Sequence, residues 1–327
     1  MPGEIPDQDS LPHLDRETAI DLLMLARRQK TRPSLLEYLE EHRVDAGWHD
    51  LFKDHKQQQR LELVTMARLR SFAQSLSDSL GEPCFAVVKG PAFAQHVYPS
   101  PKFRPFTDID VLIAPDAKKK IISALGELGF DRHEPDQKTE DHPEMQFLHR
   151  EFPNLLIETH TDVVHSKRLR ETFSLTFADI ASAPTAPSTH LLVALAHGFV
   201  VNQYYQTGQI VDVVLAARKI VEQADEMRLE AFAAKPGHRP WMCCGLMVAG
   251  LLLKDERCME LSRALGTARW CKLFARLIER QLVPAHITGY EAQRRTRMFV
   301  RTAVMQQAGP FFSLIPGARM QLQSTRD

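Results

Sequence analysis

The chain has 327 residues, 44% of them hydrophobic and 25% charged, which is the make-up of an ordinary globular protein with room for more than one unit. Lys plus Arg and Asp plus Glu both number 41, so no overall field favours a polyanion, and a nucleic-acid site would have to be local. Five cysteines at 84, 243, 244, 258 and 271 lack metal-knuckle spacing and read as buried free thiols.

The amino-terminal stretch has no apolar run of signal-peptide type, and no segment approaches the ~18 apolar residues a membrane span needs. The expected setting is therefore the cytoplasm. From Asp15, a plausible cap, the apolar positions Ile20, Leu22, Leu23 and Leu25 predict a helix. Pro33 opens a second helix, and a long third runs from about Trp48 to Leu80, ended by Gly81. Residues 1–80 thus read as a helical region without chemistry of its own.

The texture changes at Pro83. Cys84 to Val88 is short, apolar and β-prone, and Lys89-Gly90 breaks it before Pro91, which suits the first position of a helix running to Val97. A loop containing Pro99, Pro101 and Pro105 delivers the chain to a strand from Thr107 to Ile113. A helix over 117–128 ends at Gly129, and two further strands are predicted, Met145–Leu148 and Leu155–Val164. Residues 81–185 therefore form a mixed α/β core. From Ser188, a candidate cap, the pattern is helical again, through Ile210–Val221, Trp241–Leu253, Cys258–Leu265 and Trp270–Leu282, so 186–327 reads as a carboxy-terminal helical region. The fold class is α+β: a mixed sheet with helices, flanked by helical regions on both sides.

The chemistry concentrates on one strand. Side chains alternate across a strand, so Asp108 and Asp110 point to the same face. Two adjacent carboxylates repel unless a cation or a proton neutralises one of them, and a divalent cation such as Mg²⁺ is the simplest reason to build the pair. Glu158, on the later strand and sharing a face with His160, completes an acidic triad that would hold two such ions. Lys89 offers a point charge, Gly90 a close backbone approach, and Arg104 a fork of donors, all suited to the phosphates of a nucleoside triphosphate. His160 would orient Glu158 or meet the nucleotide. Arg104 has an alternative reading, as the partner of Asp108 or Asp110.

The run Val88-Lys89-Gly90, Tyr98-Pro99, Arg104-Pro105, Asp108-Ile109-Asp110-Val111-Leu112 and Glu158-Thr159-His160 resembles the bacterial uncharacterised nucleotidyltransferase family of the DNA polymerase β-like superfamily. In that family a Lys-Gly turn stands where Gly-Ser is usual in the superfamily. The resemblance is specific over about residues 83–165 and weaker through His197 and the helix bearing Asp212. It implies a mixed sheet with helices packed on it, Mg²⁺ dependence, and transfer of a nucleoside monophosphate from an NTP (ATP by default) to a hydroxyl acceptor, with release of pyrophosphate. On that reading Asp108, Asp110 and Glu158 are the catalytic metal ligands, and Lys89, Gly90, Arg104 and His160 bind the nucleotide.

Two alternatives stay open: a catalytically silent metal- or nucleotide-binding protein of the same fold, and an RNA-modifying nucleotidyltransferase or toxin. The second would need a basic surface, for which Arg294, Arg295, Arg297 and Arg301 are candidates, although they read better as a solvated helix face. His197 and Asp212 lie on apolar helices and could approach the cleft, but read better as core or capping residues. Tyr204 and Tyr205 read equally as pocket lining or loop packing.

Overall fold

A computed structural model of the chain describes residues 16–41, 49–80, 84–133, 145–202, 204, 206–223 and 225–266. The expected cap Asp15, Tyr205, Cys271, the helix over 270–282 and the arginines at 294–301 lie outside the described residues.

Three helices come first: α1 (Arg16–Arg28), α2 (Arg32–Glu41) and the long α3 (His49–Leu80). The core then runs β1 (Phe85–Val87), α4 (Pro91–His96), β2 (Asp108–Ile113), α5 (Lys118–Glu127), β3 (Phe130–His133), β4 (Met145–His149) and β5 (Leu156–His160). Two single-turn helices, α6 (Lys167–Arg170) and α7 (Phe177–Ile180), lead to α8 (Pro187–Ala194), which continues as a π-helical turn over Leu195–Val201. The helices α9 (Thr207–Gln223), α10 (Glu226–Ala233), α11 (His238–Leu252) and α12 (Glu256–Ala264) follow. No described helix is long and apolar enough to cross a membrane.

The sheet order is β1-β2-β5-β4-β3, with β2 and β5 parallel at its centre and the other neighbours antiparallel. Alternation divides its residues between two cores. Ile109, Val111, Ile113, Phe147 and Ile157 pack with Leu69, Leu76, Ile121 and Leu125 of α3 and α5. Ala86, Val88 and Leu112, on the other face, pack with the apolar faces of α8, α9, α11 and α12. This second face is also the one that carries Asp108 and Asp110, so the carboxy-terminal helices roof the acidic strand.

β3 escapes sequence reading because only Phe130 of its four residues is buried, while Asp131, Arg132 and His133 face solvent on the sheet edge. β5 is shorter than the predicted 155–164 strand, ending at His160. Ser188 is not the cap of α8: the helix starts at Pro187, and Asp225 Oδ2 accepts from the Ser188 backbone N–H at 2.8 Å. Cys84, Cys243, Cys244 and Cys258 are free thiols, the last three buried.

His190 on α8 is buried, stacked on His96 with ring centroids 5.5 Å apart. Burial, and then the His96 ring, lower its pKa to about 4. Unfolding raises that value to the ordinary ~6.5, so between those pH values the unfolded chain binds the extra proton and acidification destabilises the fold. Going from pH 7 to pH 5, His190 should remove about 2 kcal/mol of stability. Urea unfolding at the two pH values checks this, and H190Q should flatten the difference.

Candidate active site

The parallel pairing of β2 and β5 sets the site. Its register places Asp110 beside Glu158, Asp108 beside Leu156 and Leu112 beside His160, so the acidic residues of the two strands share one face. The ligand atoms of Asp110, Glu158 and His160 all lie within 4.8 Å of one another. Asp108 stands one step earlier on the same face and is half-buried. Gln146 on β4, opposite Glu158 in the register, donates to Glu158 Oε1 at 2.9 Å and fixes that carboxylate.

Asp110 is the centre of charge. Its Oδ1 meets Lys89 Nζ at 2.5 Å and His160 Nε2 at 3.1 Å, and all three residues are buried. Burial opposes the carboxylate's charge, but the Lys89 ammonium and then the His160 imidazole outweigh it and hold Asp110 well below the usual carboxylate range. Lys89 is thus a buried counter-charge of Asp110. The turn that presents it depends on Gly90, whose φ is +45° and whose added Cβ would lie 3.0 Å from the Asp108 carbonyl oxygen. The glycine is needed for the approach of this turn to the acidic strand, and Pro91 then opens α4 as expected. Gly90→Ala should cost about 1–3 kcal/mol through strained backbone and that contact, measured by urea unfolding.

Arg104 does not pair with Asp108 or Asp110. Its Nε and Nη2 donate to the two carboxylate oxygens of Asp212 on α9, at 2.7 and 2.9 Å, and Nη1 donates to the Pro105 carbonyl at 3.0 Å. Tyr98 Oη donates to the same Asp212 carboxylate at 2.7 Å. Burial disfavours the Arg104 charge, but Asp212 more than restores it. This forked pair fastens the proline-rich loop ahead of β2 to the helical roof. Asp212, read from sequence as a core or capping residue, is the anchor of that fastening.

His197, also read from sequence as structural, comes to the site on the π-helical turn, a kind of helix irregularity often found at functional sites. Burial, and then the Lys89 charge, hold its pKa well below the ordinary histidine value despite Asp110 nearby. Its Nε2 faces Asn202 Nδ2 at 3.2 Å. With that nitrogen accepting from the amide, the neutral ring carries its proton on Nδ1. Tyr204 is a packing residue, with its hydroxyl donating to the Gly245 carbonyl at 2.8 Å.

Converging carboxylates beside an imidazole are the donor set of a divalent-cation site. His160 Nε2 faces both carboxylates, 3.1 Å from Asp110 Oδ1 and 4.0 Å from Glu158 Oε2. The residues fit a bound cation. A family model described as "Uncharacterised nucleotidyltransferase" matches residues 16–254. The chain belongs to that family. The match spans α1 to the end of α11, so the amino-terminal helices and the roof belong to the family unit together with the sheet. No curated protein and no solved structure matches the chain significantly. Family membership makes nucleotidyl transfer the class of activity and a nucleoside triphosphate the class of substrate.

Proposed function

We propose that the chain transfers a nucleoside monophosphate from an NTP to a hydroxyl group of a small molecule or protein, with release of pyrophosphate. The observation that carries this reading is the convergence of Asp110, Glu158 and His160 within 4.8 Å, on the sheet face that also presents Lys89. Asp108, Asp110 and Glu158 are the proposed ligands of Mg²⁺, one ion or two. When bound there, Mg²⁺ would supply Lewis-acid stabilisation of the phosphate being transferred and would favour deprotonation of the attacking hydroxyl.

The protein side chains divide the remaining work. Lys89 is the counter-charge of Asp110 in the structure and adds positive charge where the phosphates would lie. Gln146 and His160 hold the orientation of Glu158 and Asp110 respectively. Gly90 brings the Lys89 turn against β2. Arg104 adds positive potential, and since three of its five N–H donors go to Asp212 and Pro105, its main contribution is to fix the loop against the roof. ATP is the working choice of nucleotide and the cytoplasm the working setting.

A second reading is favoured by one observation. Lys89 already neutralises Asp110 within the protein, which a catalytically silent binding protein of the same fold would also do. Incubating the purified protein with NTPs labelled at the α-phosphate, Mg²⁺, and separated protein, RNA and small-molecule fractions distinguishes the two. Label should enter the protein or small-molecule fraction, with stoichiometric pyrophosphate. No label in any fraction with any NTP would sink the transferase reading, and label in RNA alone would move the acceptor class to RNA.

A further inference from the structure

Lys30 ends α1 in a conformation that suits glycine. The Thr31 N–H donates to the Ala26 carbonyl at 2.8 Å and the Lys30 N–H to the Arg27 carbonyl at 3.1 Å, the bond pair that closes a helix with one left-handed residue. Lys30 is that residue, with φ at +56°. A side chain there works against the backbone preference, which points to a use for it.

The same turn is fastened to the start of α9. The Gly208 N–H donates to the Gln29 carbonyl at 2.9 Å, and the Thr207 N–H and hydroxyl donate to Gln29 Oε1 at 2.8 and 3.0 Å. A Cβ added at Gly208 would stand 3.1 Å from the Cβ of Lys30. Asp212, which holds Arg104 and Tyr98, follows Gly208 by one helical turn on the same side of α9. Lys30 therefore leads from the amino-terminal helices toward the end of the site where Arg104 is anchored. Its ammonium is in electrostatic reach of Arg104, Asp108, Asp212 and Lys89.

Its state differs from that of the two neighbouring cations. Lys89 is paired with Asp110 and Arg104 with Asp212, whereas among the described residues no carboxylate lies within ion-pair distance of Lys30. Lys30 is also solvent-accessible, so a ligand can reach it. A cation in electrostatic reach of Asp108 and Lys89, without an ion-pair partner among the described residues, is suited to an anion brought from outside. We propose that Lys30 binds the triphosphate of the substrate, so that the amino-terminal helices contribute directly to the nucleotide site.

This proposal rests on the nucleotidyl-transfer reading, and calorimetry separates the two. The full chain is titrated with Mg²⁺–tripolyphosphate, which avoids choosing a base, and with each Mg²⁺–NTP. K30G removes the side chain from a position glycine favours, so its thermal midpoint should stay the same or rise while tripolyphosphate binding weakens about tenfold. K30R should bind within about threefold of wild type, because it restores the charge. Wild-type binding that K30G leaves unchanged, or that K30R fails to restore although K30G loses it, overturns the role of Lys30 and leaves the transferase reading standing. A wild-type chain that binds neither tripolyphosphate nor any NTP overturns both.

Discussion

Replacing Asp110 by asparagine should abolish Mg²⁺-dependent transfer from NTP, lowering it by about a thousandfold or more, with little change in side-chain volume. Asp110 lies where three demands meet: it faces Glu158 across the β2–β5 pair, it accepts the Lys89 charge, and it contacts His160. Asparagine removes the negative charge that a cation needs and leaves Lys89 buried against a neutral amide. Some stability should therefore be lost as well, up to about 3 kcal/mol, because the buried Lys89 loses its counter-charge. The charged pair contributes stability above the unfolded carboxyl pKa of about 4, and the contribution fades as pH falls through the depressed folded value. The difference in urea stability between wild type and D110N should accordingly shrink on acidification. Assaying pyrophosphate release alongside urea unfolding separates the two losses. A variant that unfolds normally and still turns over would remove Asp110 from the chemistry.

The second large effect is expected at Asp212. D212A deletes the carboxylate that pairs with Arg104 by two bonds and accepts from Tyr98, leaving a buried guanidinium and a buried hydroxyl without that partner. Breaking one side of such a pair costs about 3–5 kcal/mol, far more than the pair contributes relative to well-packed apolar residues. The double variant R104M/D212L should therefore recover much of the loss, as judged by chemical unfolding. Its nucleotide affinity should stay reduced, because the loop carrying residues 98–105 is then no longer held by charge. A D212A cost below about 1 kcal/mol would mean that the pair does not fasten the loop to the roof.

Much of the sheet and its acidic pair was legible because the relevant signals are local. Asp108 and Asp110 share a face by strand periodicity, Pro91 opens a helix by its fixed φ, and Lys89-Gly90 marks the break between them. Glu158 joined Asp110 in the reading because a metal site needs oxygens from a neighbouring strand, and the β2–β5 register provides this contact. Other features depend on distant partners. The pairing of Arg104 with Asp212 spans 108 residues, and nothing near either residue encodes it. Lys89 looked like a residue for phosphate alone because its contact with Asp110 arises only when the turn folds back over β2. His197 could be placed only as a candidate for the cleft, because its apolar helix equally suits a core histidine and the π-helical turn that carries it has no sequence signature. Lys30 was invisible because a Schellman-type ending normally signals glycine, and the sequence there offers Gln29-Lys30-Thr31. β3 was missed because a solvent-facing edge strand carries no apolar alternation.

If the acidic face of β2 and β5 holds a cation that carries a nucleoside triphosphate, calorimetric titration of the wild-type chain with each NTP, with and without Mg²⁺, should show it. At least one NTP should bind in a manner that requires Mg²⁺ and is lost in D110N. NTP binding of equal strength without the metal, or no binding of any NTP in its presence, would contradict it.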